Sequence, residues 1–169
     1  MIEIITDRLL IIPCSLDIAK SLIFHRKELE QRSPIEIPET WPSPFVKGVL
    51  PLYIEKLEVD ESEYGWGLWL IILYDEKRII GDLFMQGKPT KEGMVELCYH
   101  IHEKHLNSSI SFEAVDAFIE WLVIQKKVVK VKMECNEQNV DSIRLYDKLG
   151  MICTEKEGTF LMWELQKKE

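Results

Sequence analysis

Residues 4–13 read as a strand, with Thr6, Arg8 and Leu10 offset along it from Ile5, Leu9 and Ile11. A helical stripe follows, with Leu16, Ala19, Leu22, Ile23 and Leu29 on one face up to Arg32 and Ser15 or Asp17 as cap. Four prolines mark residues 33–44 as a loop. A second helix is expected over residues 45–58, broken or restarted at Pro51, and residues 60–64 read as an acidic turn. Period two then returns over residues 67–74, 78–86 and 94–101, which predicts an antiparallel meander. Phe112, Val115, Phe118, Ile119 and Leu122 switch the period to 3.6 and predict a helix over residues 109–125. A strand over 128–135, a helix over 139–149 closed by Gly150, and strands over 152–155 and 159–165 complete the chain.

A strand–helix–strand passage from 94 to 135 demands a parallel pair inside an otherwise antiparallel arrangement. The expected fold is therefore α+β: a mixed, mostly antiparallel seven-stranded sheet with a parallel pair, flanked by about four helices. No repeat or linker interrupts the 169 residues, so residues 1–169 read as a single domain.

Composition mainly excludes. A net charge of −8 argues against nucleic acid, which needs a basic face, and suits solubility or a cationic substrate equally. Glu3, Asp7 and Arg8 interrupt the first apolar run, so it does not read as a signal peptide. The apolar stretch 68–74 is too short to span a bilayer, and a cytoplasmic protein with no membrane partner is expected. Cys14, Cys98, Cys135 and Cys153 are far apart and lie in apolar runs, where a thiol acts as a small hydrophobe rather than a disulfide partner. His100, His102 and His105 cluster, but spacing suggests no third ligand beside His100 and His102; ordinary sheet or surface histidines and no metal are expected. Trp41, Trp66 and Trp69 read as core or pocket-wall residues.

Several segments occur in a telling order: Thr6-Asp7-Arg8-Leu9, Ile80-Gly81-Asp82, Glu96-Leu97-Cys98-Tyr99, Glu113-Ala114, and the block from Asn139 to Met151 with its Leu149-Gly150-Met151 end. In these the chain resembles the GNAT acetyltransferase superfamily, within it the branch of ribosomal-protein N-terminal acetyltransferases. The resemblance implies that the parallel strands splay, and that pantetheine of acetyl-coenzyme A, a co-substrate, pairs with the first of them around Tyr99, His100 and Ile101. The pyrophosphate would rest on Leu106, Asn107, Ser108, Ser109, Ile110, Ser111 and Phe112 at the start of a helix, whose N–H groups and dipole favour anions. By itself that segment reads as ordinary helix capping. It departs from the family's loop: Leu106 replaces the basic or amide residue, and Ser109 and Ser111 replace glycines. A serine at a positive φ there costs roughly 1 kcal/mol.

The same resemblance implies Glu96 as the base, directly or through water, and Tyr146 as the acid that protonates the leaving thiolate. The bland alternatives are a solvated strand carboxylate and a core aromatic. Asn139 and Ser142 would lie near the pantetheine arm, although Asn139 also suits a helix cap. His100 stands where that branch has a tryptophan and would line the acceptor pocket. The implied activity is N-acetyl transfer to a primary amine, a small molecule or a protein N-terminus, by a monomer or homodimer. The altered loop leaves a second reading, a catalytically impaired ligand-sensing or protein-binding module.

Overall fold

The computed structural model describes residues 2–166, apart from the Ser108 side chain. Among them are eight strands and five α-helices. Two compact units divide the chain after Phe84.

In the first unit, β1 (Ile4–Ile5) and β2 (Leu9–Pro13) replace the one strand expected over residues 4–13. Thr6 makes the difference. Its hydroxyl accepts the Leu9 N–H at 3.0 Å and its own N–H reaches the Leu9 carbonyl at 2.9 Å. A side-chain hydroxyl that closes its own turn lets β1 fold back, pairing Ile4 with Ile11. The strand count thus rises from the expected seven to eight.

The first expected helix is also two. In α1 (Leu16–Phe24), Ser15 rather than Asp17 is the cap, accepting the Ile18 N–H at 3.2 Å. His25, at φ −141°, leaves the helical region, and α2 (Arg26–Arg32) restarts after it. Arg26 anchors α2 to the following loop by donating to the Trp41 and Pro38 carbonyls, each at 2.7 Å.

The longer α3 (Pro44–Val59) begins with Pro44 in its first turn under a Ser43 cap. Pro51 does not break it. Proline deprives the Lys47 carbonyl of its usual partner, but Lys47 and Pro51 are both exposed, so water is available to that carbonyl. The antiparallel β3 (Leu68–Leu73) and β4 (Arg78–Met85) complete the unit. Leu68, Leu70, Ile72 and Ile79 join Ala19, Leu22, Leu50, Ile54 and Trp41 in its core.

The second unit comprises β5 (Met94–Ile101), α4 (Ser108–Gln125), β6 (Lys130–Asn136), α5 (Val140–Lys148), β7 (Ile152–Glu157) and β8 (Phe160–Gln166). β5 and β6 are parallel, with α4 as the crossover; β6–β8 and β7–β8 are antiparallel. Gly93 sets the start of the parallel ladder. Its carbonyl accepts from Val129 and Lys130 at 2.8 and 3.2 Å, and a Cβ there would sit 3.0 Å from the Val129 side chain. Gly150 closes α5 at φ +84°, as the sequence suggests.

One parallel pair among antiparallel ones is the expected class, with one more strand and one more helix than anticipated. The cysteines divide: Cys14 and Cys135 are buried, while Cys98 and Cys153 are exposed, so only two behave as core hydrophobes.

Candidate active site

The ladder between β5 and β6 is short. Met94, Val95 and Glu96 pair with Lys130, Val131 and Lys132, and there the pairing stops. β5 runs on to Ile101 and β6 to Asn136, five and four residues further. On its other edge β6 stays paired with β8 along its whole length, from Lys130–Gln166 to Asn136–Phe160. It is therefore the contact with β5 alone that opens. Backbone groups in such an opening need a partner, and an extended ligand carrying amides supplies one.

Tyr146, from α5, enters this opened stretch. Its hydroxyl donates to the Glu134 carbonyl of β6 at 3.0 Å. The side chain is only 2 % exposed, with its ring 5.8 Å from that of Trp163 and 6.4 Å edge-on to that of Tyr99. Burial, followed by the neighbouring Tyr99 and Cys135, pushes its pKa well above the ordinary phenol value. The group holds its proton at any physiological pH, so it suits an acid and not a base.

Tyr99 projects from β5 toward α5, sharing a hydrogen bond of 2.9 Å with the Ser142 hydroxyl. Burial raises its pKa too, with the Ser142 bond acting in the opposite direction. Asn139 caps α5 by accepting the Ser142 N–H at 3.1 Å, which is the plain structural role the sequence allows it.

A cavity of about 120 Å³ lies at the start of α4, lined by Tyr99, Leu106, Asn107, Ser111, Asp141 and Leu145. At roughly 30 Å³ per water it holds about four waters, a space of phosphoryl size. Asn107 caps α4, its Oδ1 accepting the Ile110 N–H at 2.8 Å. The helix begins at Ser108, so Ser109 and Ser111 have helical backbone, and neither is among the residues with positive φ. This corrects the expected strain: the serines replace glycines without a left-handed conformation to support. Ser111 is buried against the cavity and Ser109 is exposed.

The other expected residues divide by face. Glu96 is exposed and ends the ladder; His100 is exposed on the same side of β5, opposite to Tyr99. Burial, then the charge of His102, lowers the His100 pKa, so the ring is neutral at physiological pH. Ile101 and Ile110 are buried apolar residues, and Phe112 carries the Lys148 ammonium 4.2 Å above its ring. The structure thus gathers Tyr99, Leu106, Asn107, Ser111, Ser142 and Tyr146. It leaves Ser109 and Asn139 at the surface, and the Ser108 side chain lies outside the described residues. Asp141 and Leu145 were not singled out in the sequence. Leu145, one turn on from Ser142, could be found by helical spacing, whereas no spacing singles out Asp141.

Among the described residues no group of three or more His, Cys, Asp or Glu side chains is arranged to hold a metal ion. No helix there is long and apolar enough to cross a membrane.

Residues 8–152 match the family model described as an acetyltransferase (GNAT) domain. An uncharacterized N-acetyltransferase, YjdG of Bacillus subtilis (strain 168), is 25% identical over 123 residues, 73% of each chain. Among solved structures, the ribosomal L7/L12 alpha-N-protein acetyltransferase RimL in complex with coenzyme A superposes with a TM-score of 0.68, at 13% identity over 98% of both chains. A variant of the spermidine N-acetyltransferase SpeG from Vibrio cholerae gives 0.66, at 11% identity over 95% of both.

Proposed function

Because the chain belongs to the GNAT acetyltransferase family, and is on that ground an acetyl-transferring enzyme, we propose that it moves acetyl from acetyl-coenzyme A directly to a primary amine in the opening between β5 and β6. The observation that carries this reading is the early end of the β5–β6 ladder at Glu96 and Lys132. Residues 97–101 of β5 offer their backbone to the amides of pantetheine. The first turn of α4, with Asn107 and Ser111 at the cavity, receives the diphosphate through helix-start amides, which need no glycine side by side with them.

The chemistry asked of the protein is modest. A neutral amine nitrogen forms the new bond to the thioester carbon, the carbon–sulfur bond breaks, and sulfur leaves with its electron pair. Tyr146, protonated in the resting site, turns from the Glu134 carbonyl to protonate the sulfur and is reprotonated from water, to which Glu96 returns the amine's proton. Glu96, exposed at the end of the ladder, takes the amine's proton through water. No covalent bond to the enzyme is needed, because both reactants sit in one opening. The amine class is supported by the named substrates of two structural neighbours, a ribosomal protein and spermidine.

Isothermal titration with acetyl-coenzyme A, followed by a thiol-release assay over a panel of primary amines, tests this. The expected result is one site per chain with a dissociation constant of about 1–100 μM and amine-dependent thiol release. Absence of binding at millimolar ligand contradicts it.

A further inference from the structure

A second cavity, of about 720 Å³, lies entirely within the first unit, where α1, α2 and the loop after α2 face α3. Its size falls within the roughly 300–1,000 Å³ of small-molecule sites. None of its lining residues belongs to the group around Tyr146. The floor is apolar and made by Leu22, Leu50 and Pro42, all buried. One wall is held in place by Arg26. Its guanidinium donates to the Pro38 and Trp41 carbonyls, each at 2.7 Å, and to Glu30 Oε1 at 2.8 Å. These bonds tie the loop that carries Glu39 and Pro42 to α2, so little has to be ordered when a ligand arrives.

Three charges on the lining are left over. Lys27 of α2, Glu39 of the loop and Lys47 of α3 are exposed, and among the described residues none of them forms an ion pair. Exposed charges contribute little singly, and a solvated rim would look the same. The backbone adds an independent feature. Pro51 has no N–H to give the Lys47 carbonyl one turn before it, and both residues line the cavity. An open hydrogen-bond acceptor therefore lies on the same wall as the Lys47 ammonium.

The cavity thus presents an apolar floor, two cations, one anion and one carbonyl. A carboxylate with an alkyl chain satisfies the lysines but faces Glu39 and leaves the carbonyl unmet. An alkylamine satisfies Glu39 and the carbonyl but faces the lysines. Both sets are met only by a ligand that carries carboxylate and ammonium next to an apolar chain. We propose that this cavity binds a free α-amino acid with an aliphatic side chain. The carboxylate meets Lys27 and Lys47, the ammonium meets Glu39 and the Lys47 carbonyl, and the side chain lies on Leu22 and Leu50. It is a binding site and not a catalytic one, and it does not depend on acetyl transfer by the second unit.

The test follows the amide spectrum of the 15N-labelled full chain at pH 7 as L-leucine is added. Two analogues are titrated beside it: 4-methylpentanoate, which lacks the ammonium, and 3-methylbutylammonium, which lacks the carboxylate. Leucine is expected to shift amides within residues 22–30 and 47–54 saturably, with a dissociation constant of about 1–10 mM, and each analogue to bind at least fivefold more weakly. Lys47→Gln, an exposed change that keeps helix propensity, is expected to weaken leucine at least fivefold. An absent or unsaturable leucine response, shifts confined to the second unit, an analogue that matches leucine, or a folded Gln variant that binds as tightly would each overturn the proposal. The analogue contrast in the wild type decides by itself if the variant does not fold. Acetyl-coenzyme A takes no part in the titration, so failure here leaves the transfer reading in place.

Discussion

Asp82 makes the clearest residue-level case, because its environment works against its charge. Its pKa rises from 3.8 to about 6, so between those values the native state binds more protons than the unfolded chain. Its contribution to stability is fully present below pH 3.8 and is lost as pH rises through about 6, a loss of about 3 kcal/mol. Replacing it by asparagine should flatten that part of the profile and raise stability at pH 7.5, which urea unfolding across pH 4–8 will check. Tyr146 is opposed in character: the buried phenol keeps its proton. Tyr146→Phe should lower kcat by about 10²-fold or more with little change in acetyl-coenzyme A affinity, measured by steady-state kinetics beside titration. It also strips the Glu134 carbonyl of a partner, so a loss of about 1 kcal/mol in stability should accompany it. Cys14, fully buried with its thiol pushed up to about 12, should resist iodoacetamide in the native protein while exposed Cys153 reacts.

At the scale of elements, the opening of β5 from β6 and the start of α4 carry the proposed site. Asn107→Ala removes the cap of α4 and should cost about 1 kcal/mol, seen as a lower Tm. Ser111→Val fills part of the cavity with methyls and deletes its hydroxyl; acetyl-coenzyme A affinity should fall roughly tenfold while Tm stays within a few degrees. These elements were largely legible in the sequence. The switch from period two to 3.6 at Phe112 placed α4, and the strands either side of it had to run parallel. The misread elements turn on single residues at which the backbone changes course. Thr6 folds β1 back through its hydroxyl, and His25 leaves the helical region between α1 and α2. Pro51 survives inside α3 because its turn faces solvent. No hydrophobic pattern encodes these. The serines of α4 illustrate the same limit: residue identity suggested strain, but where a helix begins decides φ, and it begins one residue before Ser109.

For the whole molecule, the candidate site divides into what alternation can reveal and what folding brings together. Tyr99 and Tyr146 were named from a motif. Their edge-on ring contact, and the Tyr99–Ser142 hydrogen bond that joins positions 43 residues apart, follow from the fold. Asp82 was visible only as part of a short motif; that it is buried against Trp41, 41 residues away, follows from the fold. Net charge acts at this scale too. At −8 the net charge favours the approach of cations, so if the proposed acceptor is a polyamine its KM should rise with salt as screening shortens the field. Ligand linkage adds a further expectation: acetyl-coenzyme A at a hundred times its Kd should raise stability by about 2.7 kcal/mol and Tm by roughly 5–10 °C.

Hydrogen exchange with and without acetyl-coenzyme A reads the opening itself. If the thioester lies between β5 and β6, amides within residues 97–101 and at the start of α4 gain protection together when ligand is added. Unchanged exchange in both segments at saturating ligand, or protection confined to other parts of the chain, would contradict the central claim.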